Sequence, residues 1–149
     1  MSGNRVSVLH GVNLDQLGRR PAEHYPQLTL AELEVQIGHF AGDLGLVASF
    51  DQTNHEGEFC ERLHQAAATS DGLLLNPGAW THYSYAIRDA LEIAALPAIE
   101  VHLSALGERE EWRRHSVIAD LCVATVSGKG VDGYREGLEI LARELESRR

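Results

Sequence analysis

Asp71–Ser104 reads DGLLLNPGAWTHYSYAIRDALEIAALPAIEVHLS, and the fold can be read from this stretch. Gly72–Leu75 is a short apolar run, Tyr85–Ile93 follows helical spacing, and Ala98–Leu103 is a second short run. Runs that are mostly apolar on both faces suit parallel strands covered by helices on each side. The pattern repeats outward in both directions. Val6–Leu9, Leu46–Phe50 and Leu121–Val126 supply three more runs. Leu30, Leu33, Ile37, Phe40 and Leu44 mark one further helix, Phe59, Leu63 and Ala67 another, and Tyr134, Leu138, Leu141 and Leu145 the last. Thr29 with Glu32 forms a capping-box pattern, and Gly45 stands where a helix-ending glycine is expected. Five strands alternating with helices predict an α/β protein with a flavodoxin-like, doubly wound, five-stranded parallel sheet in three layers. The expected organisation is one domain over residues 1–149.

Composition narrows the partners. The formal net charge is -9, so phosphate backbones and anionic lipid would repel the chain; neither nucleic acid nor membrane is the expected partner. An anionic small molecule needs a local basic pocket to override that field. Cys60 and Cys122 belong to no metal or redox pairing, which predicts neither a disulfide framework nor a thiolate metal site. MSGNRVSVLHG lacks a long apolar core, and no stretch approaches ~18 apolar residues, so the expected setting is cytoplasmic.

In doubly wound sheets ligands bind beyond the carboxyl ends of the strands. That rule selects His10–Asn13, Asp51–Glu58, Asn76–Ser84 and His102–Ser104. After the first strand comes HGVNLDQLGRRPAEHYPQ, a long connection without helical periodicity. Arg19 or Arg20 near Tyr25 would favour the charged phenolate, which turns a tyrosine into a general base. A solvated loop with Tyr25 packed on the surface fits the same residues. Asn76 can accept and donate at once, which suits a substrate hydroxyl, while Ser84 suits a helix N-cap. His82 reads equally as a ligand contact or a structural hydrogen-bonder. Glu100 and His102 project from one face of a strand, where the carboxylate would orient the imidazole as a proton donor. Leu103 and Ser104 offer backbone N–H groups at the strand's end for a carboxylate. Arg109, Arg113 and Arg114 add local positive charge.

Two other chemistries fit less well. His82, Glu100 and His102 have metal-ligand types but no HxH or HxxxH spacing. The first strand-to-helix loop lacks the glycine patterns of nucleotide sites, and GKGVDG, Gly128–Gly133, sits before the last helix with the wrong spacing.

Taken together, these segments resemble the type II 3-dehydroquinase family over nearly the whole chain. The family's NGPNLxxLGxRxPxxYG stands here as HGVNLDQLGRRPAEHYPQ, with Asn13, Leu14, Leu17, Gly18, Arg20 and Tyr25 at matching spacing. QSNHEGE appears as Gln52–Glu58, NPxAxTHxSxAxRDA across Asn76–Ala90, and EVHxSN as Glu100–Ala105. RExxRxxS runs from Arg109 to Ser116, and GxGxxGY from Gly128 to Tyr134. Another register would put Arg19 and His24 at the arginine and tyrosine positions; counting from Asn13 and Gly18 selects Arg20 and Tyr25.

The resemblance implies a hydro-lyase that needs no metal or cofactor and eliminates water in anti geometry from 3-dehydroquinate, giving 3-dehydroshikimate. It implies Tyr25 as base, Arg20 favouring its ionised form, Asn13 holding a water that stabilises the enolate, and His102 as acid oriented by Glu100. Leu103 and Ser104 would hold the carboxylate, and Asn76, His82 and Arg113 the substrate hydroxyls. Asp89 would reach a neighbouring site in a homododecamer built from trimers. Biosynthetic (shikimate) and catabolic (quinate) enzymes share these residues. Departures lie at His10, Val12, Pro21, Pro26, Ala105 and Gly107, with Ala105 expected to remove a polar group beside the carboxylate cradle. They keep open a paralogue acting on a related hydroxy-ketone, or a non-catalytic oligomeric binding protein.

Overall fold

A computed structural model describes residues 3–149. Five strands form one parallel sheet: β1 Arg5–His10, β2 Val47–Gln52, β3 Gly72–Asn76, β4 Ala98–His102 and β5 Ala124–Ser127. Four longer helices connect them: α1 Leu30–Asp43, α2 Glu56–Thr69, α3 Tyr85–Ala94 and α4 Asp132–Ser147. The strand order is β2-β1-β3-β4-β5, the flavodoxin-like winding expected from the alternation. Alternate strand residues point to opposite faces and divide the core in two. Val6, Val8, Leu74, Ile99 and Val101 pack with α1 and α4, whereas Leu9, Leu73, Leu75 and Ala98 pack with α2 and α3. This is the three-layer arrangement.

Local signals set the helix ends. Thr29 and Glu32 make the complete capping box. At the other end Gly45, at φ 72°, lets Gly45 N–H reach Gly42 O and Leu46 N–H reach Ala41 O, a Schellman closure. Ser84 caps α3 by accepting from Ile87 N–H at 3.1 Å. The last strand differs from expectation. The apolar run Leu121–Val126 is strand only in its second half: Ala119–Leu121 forms a 3-10 turn and the strand begins at Ala124. Apolar content cannot distinguish a packed turn from a strand entry. β2 is an edge strand with alternating exposure, so only one of its sides meets the core.

Strand order reverses between β1 and β3, and there the two loop tips touch backbone to backbone. Gly11 N–H donates to Asn76 O at 2.7 Å, and a Cβ on Gly11 would stand 2.3 Å from Pro77 O. Gly78, at φ 66°, faces Val12 O in the same way. These glycines permit the close approach that forms the floor of the crevice. Gly11→Ala must separate two backbones that cannot yield independently, so it should cost stability at the upper end of ~1–3 kcal/mol, measured by urea unfolding.

Candidate active site

A cavity of about 90 Å³ opens over that floor, walled by the segments following β1, β3 and β4. Of the residues selected from sequence, Asn13, Arg20, Tyr25, Asn76, His82, His102, Leu103, Ser104 and Arg113 all line it. Glu100 lies directly beneath His102, and Asp89 lies elsewhere, on the exposed side of α3.

Glu100 is fully buried on β4 and is surrounded by donors. His102 Nε2 approaches Oε2 at 2.6 Å, Thr81 Oγ1 donates at 2.5 Å, Ser116 Oγ at 2.9 Å and Thr125 Oγ1 at 3.3 Å. Burial opposes the charged carboxylate, but the hydrogen bond and positive charge from His102, with the Thr81 and Ser116 hydroxyls, outweigh it and hold Glu100 below the ordinary glutamate value. With Nε2 engaged below, Nδ1 is the imidazole nitrogen left for the cavity.

His82 stands nearby, its ring 6.4 Å from that of His102 and nearly parallel to it. Its Nδ1–H donates to His115 O at 2.7 Å. Burial, with help from the charges of His102 and Arg113, lowers its proton affinity against the opposing pull of that carbonyl. The ring is thus a neutral acceptor through Nε2, which is buried and has no partner among the described residues.

The long connection after β1 folds over the cavity. Pro21 starts a turn whose carbonyl accepts from His24 N–H and Tyr25 N–H at 3.1 and 3.0 Å. Gln27 Nε2 donates back to Arg20 O and Tyr25 O, closing the loop on itself. Arg20 Nη2 donates to the Tyr25 hydroxyl at 2.9 Å. Arg19 turns instead to Gln16, and His24 to Glu23, so the register counted from Asn13 is the one that makes contact. Arg109 was missed as a partner of Tyr25. Its Nη1 donates to the Tyr25 hydroxyl at 2.7 Å and to Ser104 Oγ at 3.2 Å. The arginine cluster after β4 was visible in the sequence, but nothing local showed which member would meet Tyr25.

Asn76 is more committed than its sequence suggested. Its Nδ2 donates to the buried Tyr134 hydroxyl at 3.1 Å and its Oδ1 accepts from Gly78 N–H at 3.1 Å, leaving one amide hydrogen and one lone pair for a ligand. Leu103 and Ser104 turn their carbonyls to Gly130 N–H and Gly128 N–H. The glycine-rich segment Gly128–Gly133 thus anchors this turn. Among the described residues, no group of three His, Cys, Asp or Glu side chains is arranged to hold a metal ion. The arrangement sets a doubly hydrogen-bonded phenol and a carboxylate-backed imidazole around one small basic cavity, which suits paired proton transfer.

Residues 4–142 match the family described as Dehydroquinase class II. The chain belongs to that family. It is 48% identical over 135 residues to a 3-dehydroquinate dehydratase of Syntrophotalea carbinolica, covering 90% of this chain and 91% of that one. It is 46% identical to the enzyme of the same name from Leptothrix cholodnii, covering 89% and 90%. The type II dehydroquinase of Butyrivibrio crossotus superposes with a TM-score of 0.90 at 36% identity, over 95% of this chain and 99% of that one.

Two of this member's departures lie away from the cavity. Ala105 packs against Gly128 and does not line the cavity. His10 is buried toward α1, stacked on Phe50, with Nε2 3.2 Å from Glu34 Oε2 but not aligned for a hydrogen bond. Val12 does line the cavity.

The lowered Glu100 value has a sign. Stability from its ionised form is complete above the ordinary value of 4.5 and is lost as pH falls through the lower folded value. Urea midpoints of the wild type should therefore drop more steeply below pH 4.5 than those of Glu100→Gln.

Proposed function

We propose that the chain is a 3-dehydroquinate dehydratase acting through an enolate. The observation that carries this reading is the Tyr25 hydroxyl, which receives two guanidinium hydrogen bonds, at 2.9 and 2.7 Å, in the cavity that also holds His102. Those two contacts fix the hydroxyl where a base is needed, facing the same cavity as the imidazole. Tyr25 takes a proton from C2 of the substrate, beside the C3 ketone, and the electron pair moves into the enolate. A water held by Asn13 donates to the enolate oxygen, a charge that only preorganised donors stabilise well. The enolate then collapses and expels the C1 hydroxyl, which His102 protonates to water while Glu100 balances the imidazolium. Base and acid on opposite faces of the ring give anti geometry.

Binding follows the same logic. Arg20, Arg109 and Arg113 make the cavity basic within an acidic chain, which supports an anionic substrate. Leu103 and Ser104 hold the carboxylate, and Asn76, His82 and Arg113 the hydroxyls; the unpartnered Nε2 of His82 supports a donor hydroxyl there. The proposal extends to a dodecamer built from trimers in which Asp89 serves a neighbour's site. Its support is the exposed Tyr85 and Ile93 on the helix that carries Asp89. Two unpaired cysteines support a reducing, cytoplasmic setting, where the enzyme would serve shikimate synthesis or quinate breakdown.

Mixing with 3-dehydroquinate should produce the absorbance of a conjugated enone, and its absence would reject the assignment. Tyr25→Phe should lose roughly 10²–10⁴-fold in kcat while still binding substrate, as read by single-turnover kinetics and direct titration. Equal kcat in that variant would remove Tyr25 as the base.

A further inference from the structure

The segment QTNHEGE, Gln52–Glu58, begins at the carboxyl end of β2, and none of its residues lines the cavity. Two of its amide side chains nevertheless turn toward the loop after β1. Asn54 Oδ1 accepts from the Asn13 backbone N–H at 2.8 Å and from Gln52 Nε2 at 3.2 Å. Asn54 Nδ2 donates to Asp15 Oδ2 at 3.1 Å, and Gln52 Nε2 also donates to Gly11 O at 3.2 Å. Gly11, Asn13 and Asp15 are therefore gripped from one side by a pair of cross-linked amides.

The grip coincides with an unusual backbone. Asn13 sits at φ 68° and ψ 3°, and Ala95 is the only other non-glycine with positive φ among the described residues. Steric repulsion between Cβ and the backbone disfavours this conformation, least severely for asparagine, so a few hydrogen bonds from neighbouring groups are enough to fix it. It also decides function, since returning φ to the ordinary negative range would swing the Asn13 side chain away from the cavity it now lines. Asn54 is itself exposed and fills no part of either core. Its hydrogen bonds go to this loop and to Gln52.

We propose that Asn54 is a positioning residue: with Gln52 and Asp15 as partners, it holds Asn13 in the left-handed conformation and so places the Asn13 amide for the enolate. The inference rests on the dehydratase reading given above. Because Asn13 acts on the developing enolate, losing its brace lowers kcat and leaves substrate binding nearly intact.

The test is steady-state kinetics on the full chain with 3-dehydroquinate, alongside urea unfolding. Asn54→Ala should lower kcat by about 10- to 100-fold, the penalty of a misplaced group, with KM changed by less than about twofold and an unchanged unfolding midpoint. Asn54→Asp keeps the acceptor for Asn13 N–H but sets a carboxylate against Asp15, so it should be impaired. Adding Asp15→Asn restores a donor–acceptor pair and should recover kcat. In an Asn13→Gly background, Asn54→Ala should cost the residual kcat nothing more. Wild-type kcat in Asn54→Ala would overturn the brace and leave the dehydratase standing. So would no recovery in the double variant, or an equal loss in both backgrounds. A wild-type chain that forms no enone would overturn both.

Discussion

A carboxylate with no exposed surface can stay charged only if every side of it is answered, and Glu100 is answered from four parts of the chain. Thr81 comes from the turn after β3, Ser116 from the loop before β5, Thr125 from β5 and His102 from β4 itself. Removing any of these donors would leave part of a buried charge unpaired, which is far costlier than losing an exposed ion pair. The four contacts therefore fix how the carboxyl ends of β3, β4 and β5 sit relative to one another. The imidazole of His102 inherits its position from that constraint. So does His82, one residue beyond Thr81, whose ring lies nearly parallel to it.

The connection after β1 completes what the sheet begins. Arg20 belongs to that connection and Arg109 to the segment after β4, and both meet the same phenol oxygen. Their contact ties the connection after β1 to the segment after β4 through a single oxygen. Pro21 helps by fixing its own φ at the start of the turn that carries Tyr25. Pro26 follows at once, restricting the backbone of Tyr25 itself. An acidic protein thereby concentrates positive charge where an anion must enter, and the low dielectric of a small cavity makes that charge count.

Much of this was legible from residue order. The capping box at Thr29, the glycine closure at Gly45 and the cap at Ser84 are signals that span a few residues, and each formed as read. Glu100 and His102 were paired correctly because two-residue spacing on a strand places both on one face. The misjudged features were those decided by neighbours distant in sequence. The entry to β5 became a turn, and Asn76 proved to be held by Tyr134 from the far side of the chain.

By itself, then, the order of residues determined the winding of the sheet, the helix ends and which strand ends carry the polar groups. Those properties follow from periodicities of two and 3.6 and from local caps, which act within one turn or one strand. Only the tertiary structure decided that Arg109, 84 positions away, shares Tyr25 with Arg20, and that Asn54 grips the turn at Asn13. The physical reason is that a hydrogen bond forms between atoms about three ångströms apart, and the separation of residues along the chain carries no record of that distance until the chain has folded.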